Sequence, residues 1–232
     1  MPGVALALPS APRLDRASTA ELIAGTLRGW ITRGQLPPGA RLSEGELCEA
    51  LGVSRNTLRE AFRLLEHEHL VVHRLNRGVF IRTLTTADVT DLYLVREMTE
   101  VTGVRAARTA DDLRRGRVSE AVASGSRAAA ADDWAAVATA DLAFHQALAA
   151  LAGSPRIDEI MEKVLAELRL AFAVAGEPEA FHRPYLYRNA ELADLLWAGQ
   201  FGQLEDELRA YLAEARDQIL GALRDADGKD AE

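Results

Sequence analysis

Asp141 and His145 are the two residues in the C-terminal half whose types and spacing most directly suggest chemistry. They stand four residues apart in a segment with helical apolar spacing, so both side chains project from one face of a helix. A carboxylate and an imidazole placed in this way can bind one divalent metal ion. The same pair is also an ordinary hydrogen-bonded pair on many helix surfaces. Two ligands do not make a metal site, so both interpretations stay open.

Four polar residues near the N-terminus are arranged for nucleic acid binding rather than for catalysis. Arg55, Asn56, Arg59 and Arg63 cluster on one face of a predicted helix, opposite its leucines. They are concentrated in the first half of that helix, where a recognition helix meets base edges. Because arginine rows on helices are usually solvated faces, the neighbouring elements must decide between these possibilities.

Two helices are predicted before this arginine-bearing helix. The first lies between Ser18 and Gly34, and its apolar residues recur at helical spacing: Ile23, Leu27, Trp30 and Ile31. Ser43 and Glu46 predict a capping box at the start of the second helix. We expect this second helix to end at Gly52, which suits a left-handed C-cap, and to bury three apolar residues: Leu47, Ala50 and Leu51.

The third helix and the hairpin after it complete the pattern of a winged helix-turn-helix. Ser54 is the expected N-cap of the third helix, whose apolar face holds Leu58, Ala61, Phe62 and Leu65. Residues 70–74 and 79–81 predict two strands around the turn Asn76-Arg77-Gly78. Arg74 and Arg77 would meet phosphates or the minor groove from the hairpin tip. This order of elements favours DNA binding over a protein-binding winged helix.

The charge of the chain changes sign along its length. The net charge of the whole chain is −8. The segment that ends at Thr83 holds eleven arginines and eight acidic residues, a net charge of +3, so the net charge of the remaining residues is −11. A basic N-terminal segment followed by an acidic remainder fits a DNA-binding module joined to a different domain. Cys48 is the only cysteine, which excludes an intrachain disulfide and indicates a reducing, cytoplasmic setting. No apolar run approaches the length of a transmembrane helix, so we expect no membrane partner.

The sequence from Thr86 onward predicts an all-α domain. Its six helices are expected at about 86–109, 111–129, 132–152, 155–174, 185–199 and 201–224, with the longest loop between residues 176 and 184. The predicted fold class is therefore mainly α, an N-terminal winged helix-turn-helix followed by an all-α antiparallel helical bundle. We expect a disordered arm at 1–14, the DNA-binding domain at 15–83, an effector-binding and dimerisation domain at 86–224, and a disordered tail at 225–232.

The stretch from Leu36 to Ile81 resembles the GntR family of transcription factors. Four motifs carry this resemblance: Pro38-Gly39-Ala40-Arg41-Leu42, Leu51-Gly52-Val53-Ser54-Arg55, Leu58-Arg59-Glu60-Ala61 and Arg77-Gly78. It implies that Arg55 and Arg59 read the operator. The expected DNA-contacting set is Arg41, Ser43, Ser54, Arg55, Asn56, Thr57, Arg59, Arg74, Asn76, Arg77 and Gly78. Asn56-Thr57 departs from the threonine-proline often found there, and His69 replaces a common glycine.

A second resemblance concerns the helical domain. The residues Asp88, Leu92, Tyr93, Val95, Arg96, Asp141, Phe144 and His145 resemble the FCD-type effector domain of the FadR subfamily. Members typically hold a divalent ion with that aspartate, that histidine and two further histidines, and the metal together with an arginine receives an organic acid. The resemblance implies metal ligation by Asp141 and His145 and a carboxylate contact from Arg96. Alignment of the last two helices puts Asn189 and Tyr211 where the further histidines would be.

These two departures leave three interpretations of the helical domain's polar residues. A metal site would have to use Asp141, His145 and Asn189, although amide and phenol oxygens are poor ligands for zinc. A metal-free polar pocket would bind a small carboxylate effector directly through Arg96, Asp141, His145, Asn189 and Tyr211. The third interpretation is a buried network whose members satisfy one another. We favour the polar pocket.

The sequence as a whole therefore predicts a regulator and not an enzyme. We expect a ligand-responsive repressor that binds a palindromic operator as a homodimer. One alternative is a DNA-binding protein whose helical domain only dimerises. The other is an enzyme with a catalytic metal on Asp141 and His145, which we rank low because the sequence offers no third firm ligand and no nearby general base.

Overall fold

An N-terminal winged-helix unit and a C-terminal set of helices make up the structure, a computed structural model that describes residues 18–173 and 175–229. The predicted disordered arm at 1–14 lies outside the described residues. The elements are α1 Thr19–Thr32, β1 Arg41–Leu42, α2 Glu44–Leu51, α3 Arg55–His67, β2 Val71–Arg74, β3 Gly78–Ile81, α4 Thr86–Ala106, α5 Asp112–Ala130, α6 Trp134–Ala150, α7 Pro155–Phe172, α8 Pro178–Trp197 and α9 Phe201–Lys229.

Helix caps fix the helix-turn-helix as the sequence predicts. Ser54 accepts a hydrogen bond from the amide of Thr57 at 3.2 Å and starts α3. Gly52 ends α2 with φ 64°, a left-handed conformation that costs glycine little. Ser43 accepts from the amide of Glu46 at 3.4 Å, which is half of the predicted capping box.

The predicted burial of α2 is wrong. Leu47 and Leu51 are half-buried and Ala50 is exposed, so none of the three joins the fully buried core. The reason is that this short helix packs against α3 along one side and leaves its other sides to solvent.

The wing is a three-stranded antiparallel sheet with the order β1-β3-β2. Both predicted hairpin strands are present, with Val71 opposite Ile81 and Arg74 opposite Gly78. The third strand, β1, was not predicted, because a strand of two residues shows no alternation in the sequence. It pairs Arg41 with Phe80 and so brings the chain after α1 against the wing.

The C-terminal domain is entirely helical over its described residues, and the predicted fold class is confirmed. The predicted loop up to Pro184 is wrong, because α8 begins at Pro178 and contains Pro184. A proline inside a helix removes one backbone hydrogen bond. Burial of Phe181, His182 and Tyr185, each at most 4% exposed, offsets that loss.

The last helix is also longer than predicted. α9 continues to Lys229, through residues that we expected to belong to a disordered tail from 225, and residues 230–232 lie outside the described part of the chain. Within the described residues, no helix combines the length and apolar character that a membrane crossing requires.

Two contacts position the functional regions. Gly103 of α4 lies so close to α6 that a Cβ at this position would stand 2.0 Å from the carbonyl oxygen of Leu148. This close approach packs together two of the helices that carry the polar residues of the bundle. At the junction of the two domains, Arg82 forms ion pairs with Asp88 of α4 and Glu167 of α7.

Candidate functional site

The N-terminal half of α3 presents an exposed polar face. Arg55, Asn56 and Arg59 are exposed, whereas Leu58 and Ala61 on the opposite side are completely buried. The face is therefore rigidly backed by the core. The start of a helix also favours an anion such as a DNA phosphate.

Arg59 is held in place by Glu44 at the start of α2. Its Nε lies 3.1 Å from Oε1 of Glu44, and its Nη2 lies 3.1 Å from Oε2. This ion pair is solvent-exposed, since the Arg59 side chain is 58% accessible. An exposed pair of this kind is weak, so the guanidinium can exchange Glu44 for another acceptor.

The wing carries its basic residues beside this helix. The guanidinium of Arg74 lies over the ring of Phe80, 4.7 Å from its centroid. Asn76 and Gly78 have φ of 58° and 100°, as the predicted turn requires. One surface cleft, lined among others by Glu44, Arg59 and Gly78, joins the helix-turn-helix to the wing.

The other predicted DNA-binding residues lie in the same parts of the unit. Ser54 and Thr57 are joined at the helix start by a hydrogen bond of 2.8 Å between their hydroxyls. Ser43 caps α2, Arg41 is exposed on β1, and Arg77 is exposed on the wing turn. All eleven predicted residues therefore belong to the start of α2, the start of α3, β1 or the wing.

A buried polar cluster joins α4, α6, α8 and α9 in the helical domain. His145 is its centre: Nδ1 lies 2.6 Å from Oε2 of Glu100, and Nε2 lies 3.1 Å from the hydroxyl of Tyr211. Arg96 donates from Nε to the other oxygen of Glu100 at 2.9 Å. Arg96, Glu100, His145 and Tyr211 are each at most 2% exposed. These groups therefore interact out of contact with bulk water.

Asp141 forms the second half of the buried polar cluster. Its Oδ1 accepts from the amide nitrogen of Asn189 at 2.8 Å and from the hydroxyl of Tyr211 at 3.0 Å. The same oxygen lies 3.9 Å from Nε2 of His145. The cluster thus unites all five predicted effector residues, Arg96, Asp141, His145, Asn189 and Tyr211, through direct contacts and through Glu100.

The buried polar cluster keeps its carboxylates ionised. Burial by itself would raise the pKa of Glu100, but His145 and Arg96 outweigh it and leave this pKa below the ordinary value. The pKa of Asp141 is likewise lowered, because burial is outweighed by the neighbouring histidines and by the hydrogen bond from Asn189. Burial, reinforced by Asp141, raises the pKa of Tyr211 well above its usual value, so this phenol stays a hydrogen-bond donor.

As arranged, these residues do not fit a divalent metal ion. Both ring nitrogens of His145 already face protein partners, and the amide nitrogen of Asn189 points at Asp141. No group of three or more histidine, cysteine, aspartate and glutamate residues that could hold a metal occurs in residues 18–173 and 175–229. The donor chemistry is that of a hydrogen-bonded network.

Sequence reasoning missed Glu100, which bridges Arg96 and His145. Its position four residues after Arg96 on the same helix was the available signal, because that spacing allows an ion pair. It also assigned no chemistry to His182, which is buried, and did not consider Arg169, which is buried on α7. Nothing in the residue pattern around Arg169 distinguishes it from an exposed helical arginine.

An exposed basic face on a winged helix-turn-helix, joined to an all-helical domain with a buried polar cluster, defines a DNA-binding transcriptional regulator. Comparisons with known proteins lead to the same class of protein. Residues 19–81 match the model of bacterial regulatory proteins of the gntR family, and residues 91–214 match the FCD domain.

Three relatives illustrate the match. The crystal structure of a GntR transcriptional regulator from Rhodococcus sp. RHA1 is 47% identical, covers 89% of this chain and 99% of that chain, and superposes with a TM-score of 0.85. The Nta operon transcriptional regulator of Aminobacter aminovorans is 30% identical over 82% of this chain and 89% of that protein. The gluconate operon transcriptional repressor of Bacillus licheniformis is 38% identical over 88 residues, 38% of this chain and 35% of that protein.

Several other curated relatives likewise match over only about a third of their own length. The chain belongs to the GntR family of bacterial regulatory proteins and carries an FCD domain.

Proposed function

We propose that this regulator is an effector-responsive repressor of the FadR subfamily that binds a palindromic operator as a homodimer. The observation that carries the proposal is the exposed face of α3, where Arg55, Asn56 and Arg59 stand on a helix anchored by buried leucines. A helix of this kind enters the major groove with its N-terminal residues against the base edges.

Base readout falls to Arg55 and Arg59. An arginine binds guanine O6 and N7 with two parallel hydrogen bonds, which makes it the commonest specific contact in the major groove. Glu44 binds the guanidinium of Arg59 in the absence of DNA, and this exposed ion pair is weak enough for the guanidinium to exchange Glu44 for a base edge. Asn56 is exposed beside them and has the amide that pairs with adenine.

The remaining predicted contacts hold the DNA backbone. They have hydroxyl, amide or guanidinium donors at helix starts or on the wing, which are the usual phosphate ligands: Arg41, Ser43, Ser54, Thr57, Arg74, Asn76 and Arg77. Gly78 allows the wing tip to approach the duplex closely, because it has no side chain.

A homodimer is supported by an exposed apolar strip on α4. Leu94 and Met98 lie one turn apart on this helix and are 56% and 65% exposed. Exposed apolar residues in adjacent turns are typical of an association surface. Two-fold dimers place one recognition helix in each half of a palindromic site.

The buried polar cluster is the proposed effector site. Nη2 of Arg96 and Oδ1 of Asn189 are buried without a hydrogen-bond partner in the described structure. Each such atom costs about 1–3 kcal/mol, so a ligand that satisfies both is favoured. A small organic acid suits this need, because its carboxylate can accept from Arg96 and a hydroxyl can donate to Asn189. Repression relieved by the ligand is proposed by analogy with relatives named as repressors.

One observation favours a second candidate, in which the helical domain only dimerises. The polar groups of the cluster already satisfy most of one another's hydrogen-bonding capacity, as in a purely structural network. An operator affinity that is the same with and without every organic acid tested would support this candidate.

The experiment that tests the proposal is selection of bound duplexes from random DNA by the purified full chain, followed by determination of the complex mass. We expect an inverted repeat bound by two chains. Enrichment of a single asymmetric half-site bound by one chain, or no enrichment at all, would overturn the proposal. Replacement of Leu94 and Met98 with glutamate should convert the protein to monomers, and the matched exposed Leu113→Glu change on α5 should not.

A further inference from the structure

A separate cavity lies where the winged-helix domain meets the helical domain. One wall comes from the end of α1 and the segment that follows it, including Ile31 and Leu36, and the other from α6, α7 and α8. Its volume is about 160 Å³, close to the roughly 150 Å³ of an apolar protein cavity that accepts benzene. Trp134, Phe172 and Phe181 contribute aromatic surface to it.

The charged residues that line this interdomain cavity are all basic. Arg33 and Arg169 line it, and none of the residues that form it is an aspartate or glutamate. A positively charged cavity with no carboxylate in its lining favours an anionic ligand.

Arg169 lines this cavity and has one donor without a hydrogen-bond partner among the described residues. The residue is 9% exposed, and its Nη2 donates to the carbonyl oxygen of Ala135 at 3.1 Å. Its Nη1 is buried and has no hydrogen-bond partner among the described residues. Burial lowers the pKa of Arg169 to about 10, and the charge of Asp141 opposes that shift only in part. A buried guanidinium is stabilised when an anion completes its hydrogen bonds.

His182 provides a second unpartnered group beside Arg169. It is 3% exposed, and its ring packs edge-on against Phe172 and Phe181 at centroid distances of 4.9 and 4.8 Å. Its Nδ1 is buried without a partner. Because burial lowers the pKa of His182 to about 4, the ring is neutral at pH 7 and can donate or accept one hydrogen bond.

We propose that the interdomain cavity binds a small aromatic monocarboxylate of about the size of benzoate, with its carboxylate on the guanidinium of Arg169 and its ring against Phe172 and Phe181. None of the five proposed effector residues lines this cavity, so it is a site beyond the buried polar cluster. Because one wall belongs to the DNA-binding domain, the ligand contacts both domains at once. Its binding therefore changes operator affinity through the relative placement of the domains.

The test uses isothermal titration of the full-length protein with sodium benzoate and, separately, with benzamide, which has the same ring and no charge. Benzoate binds, and benzamide binds at least about tenfold more weakly, because its amide oxygen has no negative charge to pair with the buried guanidinium. Arg169→Met weakens benzoate binding by at least about tenfold. Arg156→Met, an exposed arginine on the same helix, leaves the affinity unchanged.

The opposite results overturn the proposal: no binding of benzoate at millimolar concentration, equal affinity for benzamide, or full affinity in Arg169→Met. If circular dichroism shows that Arg169→Met is unfolded, Arg169→Lys and His182→Phe take its place, and both should bind benzoate more weakly than the wild type. Operator binding without ligand is measured in parallel. Lost benzoate binding with intact operator binding defeats this site alone, whereas absence of operator binding defeats the proposed function.

Discussion

Glu100 on α4 and His145 on α6 lie 2.6 Å apart, from Oε2 to Nδ1, at the centre of the helical domain. The other carboxylate oxygen of Glu100 accepts from Nε of Arg96. Glu100 thus fixes the orientation of the imidazole and directs its Nε2 towards Tyr211 and Asp141. Glu100 therefore joins α4 to α6 through His145.

Removal of the Glu100 charge should destabilise the domain strongly. In Glu100→Gln the buried guanidinium of Arg96 loses its ion pair, and breaking such a pair costs about 3–5 kcal/mol. Glu120→Gln is the matched control, because its ion pair with Arg127 is exposed and is worth no more than about 1 kcal/mol. Urea denaturation at neutral pH measures both. Equal, small effects in the two variants would show that the cluster does not support the fold.

The close approach of α4 and α6 predicts opposite effects for two glycine-to-alanine changes. Gly103→Ala forces a methyl group against the backbone of Leu148 and should destabilise by at least about 2 kcal/mol. Gly116→Ala, inside α5 with no atom within 4 Å of the new Cβ, should stabilise by about 0.5–1 kcal/mol. The midpoints of thermal unfolding distinguish the two, and stabilisation by Gly103→Ala would disprove the contact.

Burial of His182 predicts a loss of stability in acid. Desolvation is the main reason that its pKa is about 4 in the folded protein, with Asp141 opposing that shift and Arg169 adding to it. The unfolded chain, with a pKa of about 6.5, binds the proton more tightly. The contribution of neutral His182 to the free energy of unfolding is therefore fully present above about pH 6.5. It falls as the pH drops towards 4, and the loss is about 2–3 kcal/mol at pH 4.5.

His182→Phe keeps an aromatic ring at this position and removes the titration. Between pH 7 and about pH 4.5, the free energy of unfolding of the wild type should therefore fall by about 2–3 kcal/mol more than that of the variant. Urea denaturation at both values measures it. A difference that stays constant would mean that His182 has the same pKa in the folded and unfolded chains.

The buried polar cluster predicts indifference to metals. Zinc or manganese ions should leave the melting temperature of the wild type unchanged, and a chelator should not lower it, because both nitrogens of His145 are already occupied. Asn189→His combined with Tyr211→His supplies two imidazoles next to Asp141 and His145. This double variant should be stabilised by added metal, since a ligand that binds only the folded state raises the melting temperature. A wild type that melts earlier after chelation would contradict the network.

The winged helix could be predicted closely from the sequence, because local signals determine it. Ser54 and Gly52 act as caps through their own side chain or backbone freedom, and the turn at Asn76 requires positive φ. β1 escaped prediction because its pairing with β3 depends on a contact across almost forty residues of sequence. The start of α8 was misplaced because burial of Phe181 and Tyr185, a tertiary effect, outweighs the helix-breaking tendency of Pro184.

The buried polar cluster could be predicted only in part. The spacing of Asp141 and His145 places them on one helix face, and they do lie together. The role of Glu100 depends on which face of α4 meets α6, and the close contact at Gly103 decides that. The burial of Arg169 and His182 depends on the packing of α6, α7 and α8 against one another, which no local pattern encodes.

The central claim is that α3 reads the operator, and the affinity of Arg59→Ala for the selected duplex tests it most directly. Measured by fluorescence anisotropy at fixed salt concentration, this change should cost about 1–3 kcal/mol and relax the preference at one base pair. The control Arg156→Ala removes the same charge from an exposed position on α7 and should leave the affinity unchanged. Wild-type affinity in Arg59→Ala would contradict the assignment of α3 as the recognition helix.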